Sequence, residues 1–392
     1  MSVKSIPRSV VMLGFVSMFM DISSEMIHSL LPVFMVSVLG ASVLVVGVIE
    51  GIAEATASIT KIFSGSVSDW IGRRRPLVLL GYSMAAFTKP LFPLAEGIGA
   101  ILTARFIDRI GKGIRGAPRD ALITDLVPKR LHGAAFGLRQ SLDTLGAVAG
   151  PLLALMLMGL SDNNYRFVFW LAVIPALLSV ACIIFGVKEP EMNMTGKKIP
   201  FPIQKSELKK LTRPFWFTVL FASAFTLARF SEAFLLLRAD SGGLAPALIP
   251  AILMTMNAVY AASAYPIGKL SDRIGKYGLL TGGIAVLIAA DLMLAFNGHM
   301  LWIFAGAALW GLHMGMTQGL LSALVADSAP ATLRGTAFGV YHLLTGIALL
   351  IASVLAGWLW TAYGPAETFL IGAVFAGISL AGFAVMRGKY LK

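Results

Sequence analysis

The chain has 392 residues, 57% of them hydrophobic and 13% charged, with a mean hydropathy of +0.81. Soluble domains carry about a quarter charged residues, so a chain of this composition cannot hide its apolar surface in water, and lipid is its expected solvent. The net charge of +12 would suit nucleic acid, but the basic residues fall in short loops between apolar runs rather than on one polar face, which argues against that partner.

Cutting the apolar runs at charged or Gly/Pro-rich turns predicts spans near residues 10–38, 43–68, 77–95, 98–121, 133–159 and 166–187. A second set follows near 214–237, 244–270, 278–297, 300–326, 335–362 and 366–386. Roughly 20 apolar residues cross a bilayer as a helix, so the predicted fold class is an all-α polytopic membrane protein with 12 transmembrane helices in two six-helix bundles. The expected domains are residues 1–187, a cytoplasmic linker 188–213 rich in Lys and Pro, and residues 214–392. The first run, from Val10 to Leu39, is too long for the apolar region of a signal peptide and is expected to stay as a helix. Cys182 lies in an apolar run, where packing is its expected role. Tyr82, Trp216 and Trp302, near predicted span ends, read as interfacial anchors.

Basic residues mark cytoplasmic loops. With the N-terminus inside, Lys4, Arg8, Arg73, Arg74, Arg75, Lys129, Arg130, the linker lysines and Arg213, Lys269, Arg273, Lys276, Arg334, Arg387, Lys389 and Lys392 all fall on the cytoplasmic side, against Arg166 and Arg238 opposite. Both termini are therefore expected in the cytoplasm of a cell with this protein in its inner membrane, where a monomer is expected.

The halves repeat. Gly65, Asp69 and Gly72 in GSVSDWIGRRR match Gly268, Asp272 and Gly275 in GKLSDRIGKYG at an offset of 203. Asp125, Pro128, Gly133, Phe136 and Gly137 match Asp327, Pro330, Gly335, Phe338 and Gly339 at an offset of 202. A duplicated six-helix unit places the expected solute site between the halves, near mid-membrane.

The segment GSVSDWIGRRRPL resembles the signature loop of the major facilitator superfamily, and GKLSDRIGKYG falls where that family keeps a second copy. The resemblance implies a conformational latch built on Gly65, Asp69, Gly72 and Arg73, with Asp120 or Asp125 completing it and Gly268, Asp272 and Gly275 as its counterpart. Gly137, Gly146, Gly150 and Pro151 are similar to the glycine-proline pattern of the family's proton-coupled exporters, with Ala154 where the final glycine would be. Arg109 and Gly113 match the family's fourth-span motif, and Arg105 is the other candidate for its arginine.

Charged side chains at bilayer depth cost about 2.5 to 3.5 kcal/mol each on insertion scales, so they face cavities or pair. Asp21, Glu25 and His28 share one face of the first helix, and Glu50 and Glu54 share one of the second. The fourth span presents Arg105, Asp108, Arg109, Lys112, Arg115 and Arg119, and the fifth Arg139 and Asp143. Glu54, Asp21, Glu25 and Asp143 are the candidate proton-coupling carboxylates. Arg109, Lys112, Arg105, Glu50, Arg139 and His28 are candidate solute ligands, joined by Asn257, Tyr260 and His342 from a second half that is poor in charge.

No nucleotide-binding loop and no nucleophile-base constellation is visible, so neither ATP nor an enzyme is expected, and no cofactor. The expected function is secondary active transport, proton-coupled efflux of a small organic solute such as a drug, siderophore or metabolite. The alternatives are transport of an organic anion, or ferroportin-like export of a divalent metal through Asp21, Glu25, His28 and His342. A receptor or membrane enzyme would be a different class altogether.

Overall fold

A computed structural model describes residues 6–71, 73–128, 132–189, 211–296, 298–329 and 334–390. Most of the linker, Gly72, and the side chains at Asp69 and Asp272 lie outside the described residues, as do the surroundings of Gly65 and Gly137. In lipid every backbone polar group must be satisfied within the chain. The described residues are helical almost throughout.

In chain order the helices are α1 (Arg8–His28), α2 (Val43–Ile71), α3 (Arg75–Thr88), α4 (Ile98–Leu126), α5 (His132–Leu160), α6 (Tyr165–Leu171) and α7 (Val173–Gly186). Then come α8 (Arg213–Thr226), α9 (Ala233–Ser241), α10 (Pro250–Ile274), α11 (Lys276–Phe296), α12 (Met300–Ser328), α13 (Arg334–Ala362) and α14 (Pro365–Tyr390). A short helical and π-helical stretch, Leu31–Val33 and Phe34–Val38, extends the first span past α1.

Nine helical segments among the described residues are long and apolar enough to cross a membrane. Three predicted spans fall short of that, each for a physical reason. The run 77–95 passes from α3 into a 3-10 turn, Lys89–Leu91, at Pro90. α4 is helical for 29 residues but carries too much charge. The run 214–237 is broken between α8 and α9, at Leu227 to Glu232.

Local sequence sets the helix ends. Asn164 and Thr212 accept from the backbone N–H groups of Phe167 and Phe215 at the starts of α6 and α8. Gly275 ends α10 with φ of 88°, a left-handed backbone that glycine adopts without a Cβ penalty. This is what the second motif copy's last glycine does.

The chain divides into two compact units, Met1–Leu31 with Thr56–Pro202, and Pro32–Ala55 with Ile203–Lys392. In the first unit α1 packs along α5 and α7, and α3 along α4. Its core joins Val10, Leu13, Val16 and Met20 of α1 to Val78 and Ala85 of α3, Leu122 and Ile123 of α4, and Ile183 of α7. Ser23 and Ser179 donate to the carbonyls of Ala172 and Val16 at 2.6 and 2.7 Å, tying α1 to the α6–α7 span by the polar contacts that lipid strengthens. In the second unit α12 packs along α10 and α11, α11 along α14, and α8 along α13. The first half of α2 belongs to this unit, where Gly47 and Gly51 lie against Ser353 and Leu350 of α13.

Large apolar side chains point outward: Phe87, Leu160 and Phe185 are 76%, 79% and 86% exposed. Spread over many helices, such side chains suit acyl chains, not water.

Candidate functional site

The charges of the first unit gather between α1, the end of α3, α4 and α5. Lys89 follows α3 directly, and its ammonium donates to Asp108 Oδ1 at 3.1 Å and to Ser24 Oγ at 3.1 Å. Both charged partners are almost wholly buried, and Arg109 Nε lies 4.0 Å from the other Asp108 oxygen. Asp108 is thus the internal counter-ion of a cationic cluster.

Above it, Arg105 and Arg109 direct guanidinium nitrogens at one imidazole, that of His28. Arg109 Nη2 lies 3.0 Å from His28 Nε2 and 3.3 Å from Nδ1, and Arg105 Nη1 also contacts Nε2. An imidazole offers at most one acceptor, so these two arginines, each 2% exposed, bring two buried guanidinium groups to one ring. Lys112, one turn along α4, is exposed.

Toward the other end of α4, Arg119 donates to Ser17 Oγ at 3.0 Å and to the Tyr82 hydroxyl at 3.3 Å, and pairs with Asp120 at 3.1 Å. Arg115 stacks 4.5 Å above the Tyr82 ring. Tyr82 is 1% exposed. It is a buried hub for two arginines, and its expected role as an interfacial anchor is corrected: distance along the helix from a span end said nothing about which way the ring faces.

α5 brings the acids of α1 into contact with its own. A Cβ on Gly146 would lie 2.6 Å from the Met18 carbonyl oxygen and 3.0 Å from Asp21 Cβ; one on Gly150 would lie 2.5 Å from Glu25 Cβ. The small residues therefore allow α5 to approach α1 at its two acids. Across that contact Asp21 and Asp143 are close enough for their charges to interact, and Arg139 donates to Asp143 Oδ2 at 2.9 Å. Pro151 sits inside α5, one residue beyond Gly150.

Glu50 and Glu54 lie on the part of α2 that packs with the second unit, Glu50 buried and Glu54 half-buried. In that unit Tyr260 donates to Gln318 Oε1 at 3.4 Å, linking α10 to α12, and Asn257 lies half-buried a turn earlier. His342 stacks on Phe338 and Tyr341 of its own helix, with ring centroids 6.2 and 5.1 Å apart.

The signature loop contributes a cation one residue from the expected one. Arg73 is exposed, whereas Arg74 pairs with Asp125 at 2.5 Å and donates to Ser68 at 3.1 Å. Lys276 pairs with Asp327, the positions 202 residues on. Asp120 faces Arg119 rather than the loop. Arg74, Lys89 and Tyr82 are not among the expected site residues. The loop repeat could not have found Arg74, because at its offset of 203 Lys276 matches Arg73 and Arg74 matches Tyr277.

The profile of the Major Facilitator Superfamily matches residues 13–353 and 236–389. The chain belongs to this family. An uncharacterised MFS-type transporter of Methanocaldococcus jannaschii is 33% identical over 383 residues, covering 96% of this chain and 94% of that one. The multidrug resistance protein MdtH of Salmonella typhi is 23% identical, over 91% of this chain and 85% of its own. Among solved structures, a substituted form of the nucleoside transporter NupG superposes with a TM-score of 0.81 at 13% identity, covering 96% of this chain and 99% of the other, a likeness of fold. As a Major Facilitator Superfamily member the chain is a multi-pass membrane transporter and not an enzyme.

Proposed function

We propose that the chain is a secondary active transporter that couples efflux of a small organic solute to the proton gradient, and that the solute carries an acidic group. The observation that carries the coupling is the proximity of Asp21 and Asp143 where Gly146 lets α5 approach α1. Two carboxylates placed against each other repel, and a shared proton relieves that repulsion. Gaining or losing that proton changes the attraction of this pair for Arg139 and for the cations of α4, which is the differential interaction that shifts inward- and outward-open populations. Asp21 is the first candidate for the coupling carboxylate, ahead of Glu54 and Glu25; Asp143, paired with Arg139, positions it.

The acidic solute is inferred from His28, Arg105 and Arg109. Converging guanidinium groups suit a carboxylate or phosphate, and the same charge repels a divalent cation, so the geometry favours the organic-anion reading over metal export. Lys112 and Arg139 extend this polar surface in the reading, and Glu50, Asn257, Tyr260 and His342 are the candidate solute ligands of the second unit. Efflux draws support from the glycine-proline stretch of α5 and from the likeness to MdtH. Twelve spans in two six-helix bundles, bounded at residues 1–187 and 214–392 with a linker between, complete the reading, with the protein working as a monomer in the inner membrane, both termini cytoplasmic.

The test is flux in proteoliposomes with an imposed pH gradient and a panel of acidic and neutral solutes. Wild type should concentrate an acidic solute, and Asp21→Asn should exchange it across the membrane without concentrating it. Concentration by Asp21→Asn with wild-type pH dependence would remove Asp21 from the coupling.

A further inference from the structure

The second unit holds a buried carboxyl that the reading above does not use. Asp291, on α11, is 0% exposed. Its Oδ1 accepts from the Trp310 indole of α12 at 2.9 Å, and its Oδ2 has no hydrogen-bond partner among the described residues. Oδ2 instead lies against the backbone of α14, where a Cβ on Gly372 would come within 2.7 Å of it and 3.1 Å of the Phe230 ring. Phe230 in turn packs on Trp310 and Phe369, with ring centroids 5.6 and 5.4 Å apart. The surroundings are aromatic and apolar.

The repeat sharpens what is unusual here. At the offset of 202 residues Asp291 corresponds to Lys89 and Trp310 to Asp108. Both pairs are in contact: Lys89–Asp108 as an ion pair that cancels its own charge, Asp291–Trp310 as a carboxyl and a neutral donor. No salt bridge to Asp291 occurs among the described residues. An ionised carboxylate buried without a cation costs several kcal/mol even after relaxation, whereas a carboxylic acid needs only ordinary hydrogen bonding.

We propose that Asp291 is a proton-binding site of the second unit, occupied in the conformation seen here. Gly372 makes the space for it: with no Cβ, α14 closes over Oδ2 and shields the acid from water. A movement of α14 away from α11 would admit water and let the proton leave. The groups around it are Trp310 from α12, Gly372 from α14 and Phe230 from the break between α8 and α9, none of them charged. His313, one turn along α12, is fully buried beside Trp310, and neither ring nitrogen has a hydrogen-bond partner among the described residues. Arg229 is a charged group facing His313. The use of this proton in transport rests on the proton-coupled reading; its binding does not.

The experiment is an infrared pH titration of the purified protein in lipid nanodiscs, with the proton as the only ligand. Wild type should show at neutral pH a carboxylic-acid C=O band that Asp291→Asn lacks. Asn keeps the acceptor for Trp310 and the shape of the acid, so folding should survive. A difference spectrum showing a lost carboxylate band instead would overturn the proposal. Trp310→Phe keeps the carboxyl and removes its donor, and should move the same band to higher frequency; an unmoved band overturns the proposal independently, even if Asp291→Asn fails to fold. Because no solute is present, failure of every solute in the flux panel would leave this result standing.

Discussion

Lys89 and Asp108 form an ion pair at 3.1 Å with side chains only 1% and 5% exposed. Removing one partner of such a buried pair leaves an uncompensated charge, at a cost of about 3 to 5 kcal/mol, whereas replacing both by apolar groups is far milder. Asp108→Leu should therefore lower the thermal unfolding temperature in detergent sharply, because it takes the counter-ion from Lys89 and Arg109 together, whereas Lys89→Met leaves Asp108 beside Arg109 and should cost less. Equal losses for the two variants would show that Arg109 gives Asp108 no compensation.

The close approach of α5 to α1 makes a prediction with an internal control. Gly150→Ala puts a Cβ 2.5 Å from Glu25 Cβ, while Gly159, on the same helix, has nothing within 4 Å. Overpacking of this kind costs about 1 to 3 kcal/mol, so Gly150→Ala should lose stability and flux. Gly159→Ala should lie within about 0.5 kcal/mol of wild type, as open surface positions do. Equal behaviour in thermal melts would mean that the helices separate without cost.

Arg74–Asp125 and Lys276–Asp327 are partly exposed pairs, of a kind worth about 1 kcal/mol or less to stability. If they help hold one state of the transport cycle, Arg74→Gln should leave the melting temperature nearly unchanged yet alter the transport rate several-fold. Unchanged flux in well-expressed Arg74→Gln protein would make the pair a packing detail.

Arg109→Gln should weaken binding of an acidic solute by at least tenfold while leaving neutral solutes of similar size little affected, since about 1.4 kcal/mol is a factor of ten and charge-assisted hydrogen bonds exceed that. Titration calorimetry against acidic and neutral pairs reads the difference. Equal losses for both classes would assign Arg109 to packing alone.

Much of this was legible in the residue order. Bilayer thickness sets span length, so apolar runs placed most helices, such as 335–362 against the observed Arg334–Ala362. The motif residues carried the family, and the three- and four-residue spacing of charges on α1 and α4 put them on shared faces.

What the residue order left open was decided between helices. Nothing local says that Lys89 meets Asp108, that Tyr82 turns inward to two arginines, or that Gly146 sets Asp21 against Asp143, because helix rotation and approach are set by packing against neighbours that lie far away in sequence. The break of the seventh span at Leu227 to Glu232 carries no proline or glycine to announce it. In the residue order Asp291 is one acid in a charge-poor half; only the tertiary contact with Trp310, and the space left by Gly372, show it enclosed where, among the described residues, a bare carboxylate has no cation to balance it.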